Sequence, residues 1–249
     1  MSIDLNCDMG EGAGSDERIM PLVTSANVAC GFHAGDASTM RRTVRLARAH
    51  GVAVGAHPSF PDREGFGRRA VNASPEQVRD DVAYQIGALW AFCRSEGIRL
   101  THVKPHGALY NMAAGDPALA RAICEAVGAI DPALVVVCLA GSPMAELTRE
   151  LGLPCAEEAF ADRGYTSAGT LVPRSAPGAV IEDPRQVAER VVRIVRERRV
   201  AAVDGGVVPL DAQTICVHGD TPGAERLAAA IRARLRAEGI EVKPFAKQP

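Results

Sequence analysis

The sequence is poor in aromatic residues, long apolar runs and net charge, and each shortage excludes a class of function. One Trp, three Tyr and six Phe in 249 residues leave few side chains on which bases or polysaccharide chains could stack. The formal net charge is −2, whereas a nucleic-acid or anionic membrane surface needs a basic stripe. No apolar run approaches the roughly 20 residues that span a bilayer. We therefore expect neither a nucleic-acid nor a membrane partner.

The N-terminus and the cysteines favour a cytoplasmic location. Residues 1–8 contain no basic segment followed by an apolar one, so we expect no signal peptide. The seven cysteines are an odd number without a Cys-x-x-Cys pair. Most of them, such as Cys7 and Cys138, lie in apolar strand-like runs, which is typical of buried thiols in a reducing compartment.

Short strand-like runs alternate with amphipathic helical segments. Seven runs are strand-like: 3–7, 26–30, 52–56, 101–104, 134–139, 154–158 and 214–218. Helix starts are indicated by a capping residue followed by proline, at Ser74, Asp116, Ser142, Asp183 and Thr221. This order predicts parallel strands with right-handed crossovers, in an open doubly wound sheet or a closed (β/α) barrel. The glycine fingerprint of a Rossmann site and the Walker phosphate loop are both absent.

We expect one domain over residues 1–249, because the chain shows no linker, repeat or low-complexity tract. Two connections, a first loop at about 58–72 and a second loop at about 159–180, are long and rich in Gly, Pro and Arg. Connections of this length in a compact domain are usually functional lids. Residues 200–210 predict a β-hairpin inserted before the last strand.

Several strand-like runs are polar on one face. In the first, Asp4, Asn6 and Asp8 alternate with apolar residues, and successive side chains of a strand point to opposite faces. Ordinary parallel strands are apolar on both faces, and an unpaired buried polar group costs on the order of 2–7 kcal/mol. The polar residues cluster toward the carboxyl ends of the strands, where the active sites of (β/α) barrels lie. We therefore predict a barrel whose polar faces meet inside and form a site at its mouth.

Histidines concentrate at the predicted strand ends. Four of the six lie at or just past such an end: His33, His57, His106 and His218. One histidine in such a place would more often be a satisfied core residue, but four at four different ends favour a shared site. His50, in contrast, falls in the last turn of a predicted helix, where it complements the helix dipole.

Lys104 is one of only three lysines against 25 arginines, and it lies mid-strand between histidines. It could stabilise an oxyanion or hold a carboxylate or phosphate, and the alternative is a structural ion pair with Asp8 or Glu158. Asp8 is either a general base oriented by a histidine or, with His33 and His57, part of a two-histidine, one-carboxylate metal site. The residues do not decide, and we slightly favour the metal-free interpretation.

Seven motifs together resemble the family of the 5-oxoprolinase A subunits, also called the LamB/YcsF family. The motifs are DLNCDMGEG (4–12), NVACGFHAGD (27–36), GAHPSFPDREGFGRR (55–69), VKPHGALYN (103–111), EAFADRGY (158–165), VPR (172–174) and ICVHGDTPGA (215–224). They span nearly the whole chain in order, and several are long and unusual.

The resemblance implies a seven-stranded (β/α) barrel related to the glycoside hydrolase and deacetylase barrels. It also implies the reaction of 5-oxo-L-proline, ATP and water to L-glutamate, ADP and phosphate, carried out with subunits B and C. ATP is then a co-substrate that enters with Mg²⁺ and is bound at least partly by the partner subunits, as the missing phosphate loop suggests. A tightly bound metal is not expected.

The resemblance and the residue types together give candidate roles. The candidate catalytic residues are Asp8, His57, Lys104 and His106, with His57 or His106 as the proton donor. The candidate substrate-binding residues are Asn6, His33, Glu158, Arg163, Arg174 and His218. Two alternatives stay open: a stand-alone metal-dependent deacetylase or amidohydrolase, with Asp8, His33 and His57 as ligands, and a non-catalytic subunit that binds the substrate.

Overall fold

The computed structural model describes residues 1–219, 221 and 223–246, and these form a closed barrel of seven parallel strands. The barrel strands are β1 (Ser2–Met9), β2 (Ser25–Ala29), β3 (Ala53–His57), β4 (Leu100–Val103), β5 (Val135–Leu139), β6 (Cys155–Phe160) and β9 (Thr214–Val217). Each strand pairs with the next, and β1 pairs with both β2 and β9, which closes the barrel. The predicted seven-stranded (β/α) barrel is confirmed.

Helices connect the strands and cover the outside of the barrel. They are α1 (Asp16–Ile19), α2 (Ala37–His50), α3 (Pro75–Ser95), α4 (Gly107–Ala113), α5 (Pro117–Ile130), α6 (Pro143–Glu150), α7 (Pro184–Glu197) and α8 (Ala224–Ala237). Strands β7 (Arg199–Ala201) and β8 (Val207–Pro209) form an antiparallel hairpin between α7 and β9. Strand β10 (Glu241–Val242) pairs with the start of β1. None of the helices in the described part of the chain combines the length and the apolar character that a bilayer crossing requires.

The predicted helix starts are correct with one exception. At four of them the capping residue directly precedes a proline, and its side chain accepts a backbone N–H of the first helical turn. These residues are Ser74, Asp116, Ser142 and Asp183. The start predicted at Thr221 is wrong, because α8 begins at Ala224 with Gly223 as its N-cap. The Thr221 hydroxyl instead donates to the Asp162 carboxylate. Pro222, the other residue of that prediction, lies outside the described residues.

The barrel interior is polar, and its side chains bond to one another across the strands. The amide of Asn6 donates to Glu158 and to Thr214. Asn27 donates to the Asn6 oxygen at 2.8 Å, and His102 Nε2 donates to the Asn27 oxygen at 2.9 Å. These bonds offset the cost of burying polar groups. The apolar core lies between the strands and the helices, and includes Leu5, Val28, Val54, Val103, Ile86, Leu89, Ile123, Val191 and Ile231.

The His102 ring lies inside the barrel, against β3 and within hydrogen-bond distance of Asn27. A Cβ atom on Gly55 would lie 2.1 Å from this ring, so only glycine fits at that position of β3. Phe245, beyond β10, contacts His102 edge-to-face with ring centroids 5.2 Å apart.

Candidate active site

A cavity of about 400 Å³ opens at the carboxyl ends of the strands. Its walls come from the segments after β1, β3, β4, β6 and β9 and from both long loops. The polar and aromatic side chains that line it include Asp8, Glu11, His57, Arg68, Lys104, His106, Tyr110, Asn111, Phe160, Arg163, Arg174 and His218. A concave site of this size with acidic, basic and cationic groups suits a small polar ligand.

Lys104 lies on the floor of the cavity between two carboxylates. Its Nζ is 3.0 Å from Asp8 Oδ1 and 2.8 Å from Glu158 Oε1, and the Tyr110 hydroxyl donates to the second Glu158 oxygen. The structural ion pair that the sequence left open is therefore present, and Lys104 forms it with both Asp8 and Glu158. Burial lowers the pKa of Lys104, but Asp8 and the other anionic neighbours outweigh it and hold that pKa well above its usual value. Burial likewise raises the pKa of Asp8, but His57 and Lys104 hold it well below its usual range.

Three histidines at or beyond the ends of three different strands converge on Glu11. Glu11 Oε1 is 2.9 Å from His33 Nε2, 3.3 Å from His106 Nδ1 and 3.8 Å from His57 Nε2. The rings of His33 and His106 stack with centroids 3.8 Å apart and planes inclined by 4°. Burial, with His57 next in importance, lowers the pKa of His33 to about 2 and that of His106 well below its usual value. Burial also lowers the pKa of His57, but Asp8 and Glu11 raise it above its usual value.

His218 and Asp162 form a second pair at the cavity. His218 directly follows β9, and its Nδ1 is 2.9 Å from an oxygen of Asp162, which lies just after β6. The His218 ring stacks on Phe160 with centroids 5.4 Å apart. Asp8, Cys216 and His218 each place a polar atom within 4.8 Å of the others. The carboxylate of Asp162 thereby fixes an imidazole beside Asp8.

The two long loops contribute arginines whose bonds also shape the loops. The second loop begins after Phe160, because β6 runs two residues further than predicted. Arg163 donates to the carbonyls of Ala179 and Val172, so its guanidinium holds this loop together while it lines the cavity. In the first loop, Arg68 lies over the Phe66 ring, 4.8 Å from its centroid.

The structure brings most of the predicted site residues to one cavity. Seven of the ten line it: Asp8, His57, Lys104, His106, Arg163, Arg174 and His218. The other three are described but do not line it. Asn6 and Glu158 lie beneath it and bind Lys104, and His33 lies against His106.

Glu11 is the principal residue that the sequence reasoning missed. The set Asp8, His33 and His57 is not the one that converges, since Glu11 joins His33, His57 and His106 instead. Glu11 lies two residues beyond the end of β1, where strand alternation no longer predicts the direction of a side chain. Its only signal in the sequence is its place in the first of the seven motifs.

Comparison with known proteins identifies relatives along the full chain. The LamB/YcsF family matches residues 3–249. A protein of Syntrophobacter fumaroxidans, named as the A subunit of 5-oxoprolinase, is 53% identical over 100% of this chain and 100% of its own length. A Pyrococcus furiosus protein of the same name is 52% identical, over 98% of each chain.

Solved structures show the same fold. A crystal structure of the lactam utilization protein from Thermus thermophilus matches with a TM-score of 0.92 and 52% identity, over 98% of this chain and 100% of that one. A family 4 carbohydrate esterase from Streptomyces lividans matches with a TM-score of 0.50 and 11% identity, over 97% of this chain and 91% of that one. The second likeness concerns the barrel alone and agrees with the deacetylase-type fold that the sequence predicts.

Proposed function

The chain belongs to the LamB/YcsF family, and on this premise we propose that it is the A subunit of a 5-oxoprolinase. In the proposed reaction, 5-oxo-L-proline, ATP and water give L-glutamate, ADP and phosphate, and subunits B and C take part. The observation that carries the proposal is the identity of about one half, over essentially the whole chain, to proteins that bear this name. Because the reaction consumes ATP, which enters as its Mg²⁺ complex, we place the protein in the cytoplasm.

The charge of the cavity supports an anionic substrate. Arg163 and Arg174 line it on one side, and Lys104 lies at its floor. Guanidinium groups pair well with carboxylates and phosphates, and 5-oxoproline carries a carboxylate. The volume of about 400 Å³ suits a single five-membered ring with room for a transferred phosphoryl group.

The proposed chemistry has three steps. A five-membered lactam is an unreactive amide, and transfer of the ATP γ-phosphoryl group to its carbonyl oxygen makes the carbonyl carbon electrophilic and releases ADP. Water then adds to that carbon, the C–N bond breaks and the former ring nitrogen takes up a proton, which leaves an acyl phosphate on the side chain. A second water hydrolyses this acyl phosphate to the carboxylate of glutamate and releases phosphate. The site must therefore accept a proton from water, supply one to nitrogen and stabilise negative charge on oxygen.

Asp8, His218 and Lys104 fit these three roles. Asp8 lines the cavity and would accept the proton from water, and Lys104, 3.0 Å from Asp8, would stabilise the oxyanion. His218, whose Nδ1 is held by Asp162, would deliver the proton to nitrogen. We assign this role to His218 rather than to His57 or His106, because both of those rings face Glu11.

A glutamate-release assay tests the proposal. The chain is measured alone and with subunits B and C, with and without ATP, and glutamate is expected only from the complete mixture with ATP. Asp8→Asn and His218→Asn should each lower the rate by about 100-fold or more, since positioned acids and bases contribute about 10²–10⁴-fold. His50→Asn, at an exposed histidine in the last turn of α2, is the matched control and should keep the full rate.

The other outcomes separate the alternatives. Glutamate release without ATP would contradict the proposal and support a stand-alone amidohydrolase, to which the Glu11 cluster of histidines is suited. Full activity of both variants would remove Asp8 and His218 from the chemistry and favour a protein that only binds the substrate.

A further inference from the structure

The histidine cluster at the cavity wall holds two ring nitrogens in an arrangement that neutral imidazoles do not favour. His57 Nε2 and His106 Nδ1 lie 3.0 Å apart. His57 Nδ1 is 2.7 Å from the Lys104 carbonyl oxygen, and His106 Nε2 is 2.9 Å from the Phe66 carbonyl oxygen. A carbonyl only accepts, so both outer nitrogens carry the hydrogen. The two inner nitrogens of the neutral rings therefore present lone pairs to each other.

The Glu11 carboxylate adds further lone pairs at the same point. Its Oε1 lies 3.3 Å from His106 Nδ1 and 3.8 Å from His57 Nε2. A single proton on His57 can be donated to only one of these acceptors at a time, whereas a cation between them satisfies all of them. The four donor atoms, including His33 Nε2, lie within 4.8 Å of one another.

The outer hydrogen bonds are those of metal-bound histidines. A ligating imidazole usually donates its second N–H to a carbonyl or carboxylate, which fixes the tautomer and the ring orientation. His57 and His106 both meet this condition. His33 does not, because its Nδ1 has no hydrogen-bond partner among the residues that the structure describes.

We propose that Glu11, His33, His57 and His106 bind one divalent transition-metal ion, of the class of Zn²⁺ or Co²⁺. Three imidazoles and one carboxylate suit these ions, whereas Mg²⁺ and Ca²⁺ prefer oxygen ligands. Glu11, His57 and His106 line the cavity and His33 does not, so the ion would lie at the cavity wall, within reach of a bound substrate. From sequence alone we expected no tightly bound metal, and the facing lone pairs are the reason that we now propose one.

The first experiment measures metal content and binding without any assay of turnover. The full chain is purified, its metal content is determined by mass spectrometry, and after chelation it is titrated with Zn²⁺ or Co²⁺. We expect about one ion per chain and, for Co²⁺, visible absorption bands of a nitrogen-ligated ion. Binding of Mg²⁺ in preference to both ions would overturn the class of metal, and no binding by the refolded or native apo-chain would overturn the site.

Variants identify the ligands. Loss of a hydrogen-bond partner of a metal-bound histidine typically lowers affinity about 10–100-fold, so His57→Ala, His106→Ala and Glu11→Gln should each lower it by at least that much. His33→Ala should have the smallest effect of the four, because no hydrogen bond to its Nδ1 from the described residues fixes its tautomer. His50→Ala is the control and should bind like the parent chain, and circular dichroism verifies that each variant is folded.

The outcomes keep this proposal apart from the proposed reaction. Affinity that is equal in His57→Ala, His106→Ala and His50→Ala would mean adventitious binding elsewhere and would refute the site. If His57→Ala does not fold, a conservative His57→Gln variant replaces it and should likewise bind the metal ion more weakly than the parent chain. All of these measurements omit ATP and subunits B and C. A failure of glutamate production would therefore not contradict the metal site, and a failure of metal binding would not contradict the proposed reaction.

Discussion

At the scale of the residue, the most consequential side chain is Lys104, which is buried between Asp8 and Glu158. Lys104→Met would leave two buried carboxylates without their cation, and breaking a buried pair in this way typically costs about 3–5 kcal/mol. Urea unfolding at neutral pH should show that loss. The matched control is Lys243→Met, which removes an exposed pair with Glu241 at 2.8 Å and should cost less than about 1 kcal/mol. Equal losses in the two variants would contradict the ion-pair account.

Asp4 should make the stability depend on pH. Burial raises the pKa of Asp4 from 3.8 to about 6. The hydroxyls of Ser25, Thr214 and Thr24 lower this pKa, and the charge of Glu158 raises it. The folded state thus holds the proton more tightly than the unfolded state. The resulting stabilisation is complete below the unfolded pKa and is lost as the pH rises through about 6, by roughly 3 kcal/mol in all.

The Asp4→Asn variant cannot ionise and should not show this loss. The unfolding free energy of the variant relative to the parent chain should therefore rise by about 2 kcal/mol between about pH 4.5 and pH 7.5. Parallel urea titrations at several pH values measure it. A constant difference across that range would show that Asp4 does not titrate with a raised pKa.

Strand alternation predicted the inward direction of single residues well, but only within the strands. Asp4, Asn6 and Asp8 all point into the barrel, as their spacing indicates. Glu11 and Tyr110 lie in a loop and on α4, where the direction of a side chain depends on the packing of distant segments. The sequence contains no local signal of that packing, so both were missed.

At the scale of the element, the start of α3 is set by a capping box. Ser74 and Gln77 each bond the backbone N–H of the other. Ser74→Ala should lower the unfolding free energy by about 1 kcal/mol, since loss of a helix cap typically costs about 0.5–2 kcal/mol. Ser95→Ala, at the other end of α3, is the control and should have a smaller effect. If Ser95→Ala lowered the unfolding free energy as much as Ser74→Ala, the cap would not be important for stability.

In the first loop, glycine is required at residue 67 by both its backbone conformation and its close neighbours. Gly67 has a φ of +64°, and a Cβ atom there would lie 2.2 Å from Ser59 Oγ and 2.9 Å from atoms of His106 and His33. Gly67→Ala should therefore shift the histidine cluster and lower the rate of the proposed reaction while the barrel stays folded. Gly87→Ala is the control, because its Cβ would meet nothing within 4 Å, and alanine within α3 should stabilise the helix by about 0.5–1 kcal/mol. Full activity of Gly67→Ala would contradict the close approach.

The existence and the order of the helices and strands could be predicted from local sequence signals. Their ends could not always be predicted in this way. Proline after a capping residue marked four helices correctly because the cap needs only its own neighbours. It failed at Thr221, whose hydroxyl is taken by Asp162 from 59 residues away. Contacts over such sequence distances are decided by the tertiary fold.

At the scale of the whole molecule, the packing of the helices around the barrel buries most of the thiols. All seven cysteines lie within the described residues and are free, and six of them are buried, with Cys155 partly accessible. A thiol reagent should therefore modify at most one cysteine rapidly in the native chain and all seven after denaturation. The absorbance of the group that the reagent releases measures the number of modified cysteines. Rapid modification of several thiols in the native state would mean that the helices separate readily from the barrel.

The hydrogen-bonded interior has a consequence for how such a chain can diverge. Asn6 alone connects Glu158, Thr214 and Asn27, so a change of one member leaves the hydrogen-bonding capacity of the others unmet. Residues in one network commonly show interaction free energies of about 0.5–3 kcal/mol. Evolutionary drift inside this barrel should therefore be strongly epistatic and proceed by matched substitutions on neighbouring strands, whereas the aliphatic shell outside can vary one residue at a time.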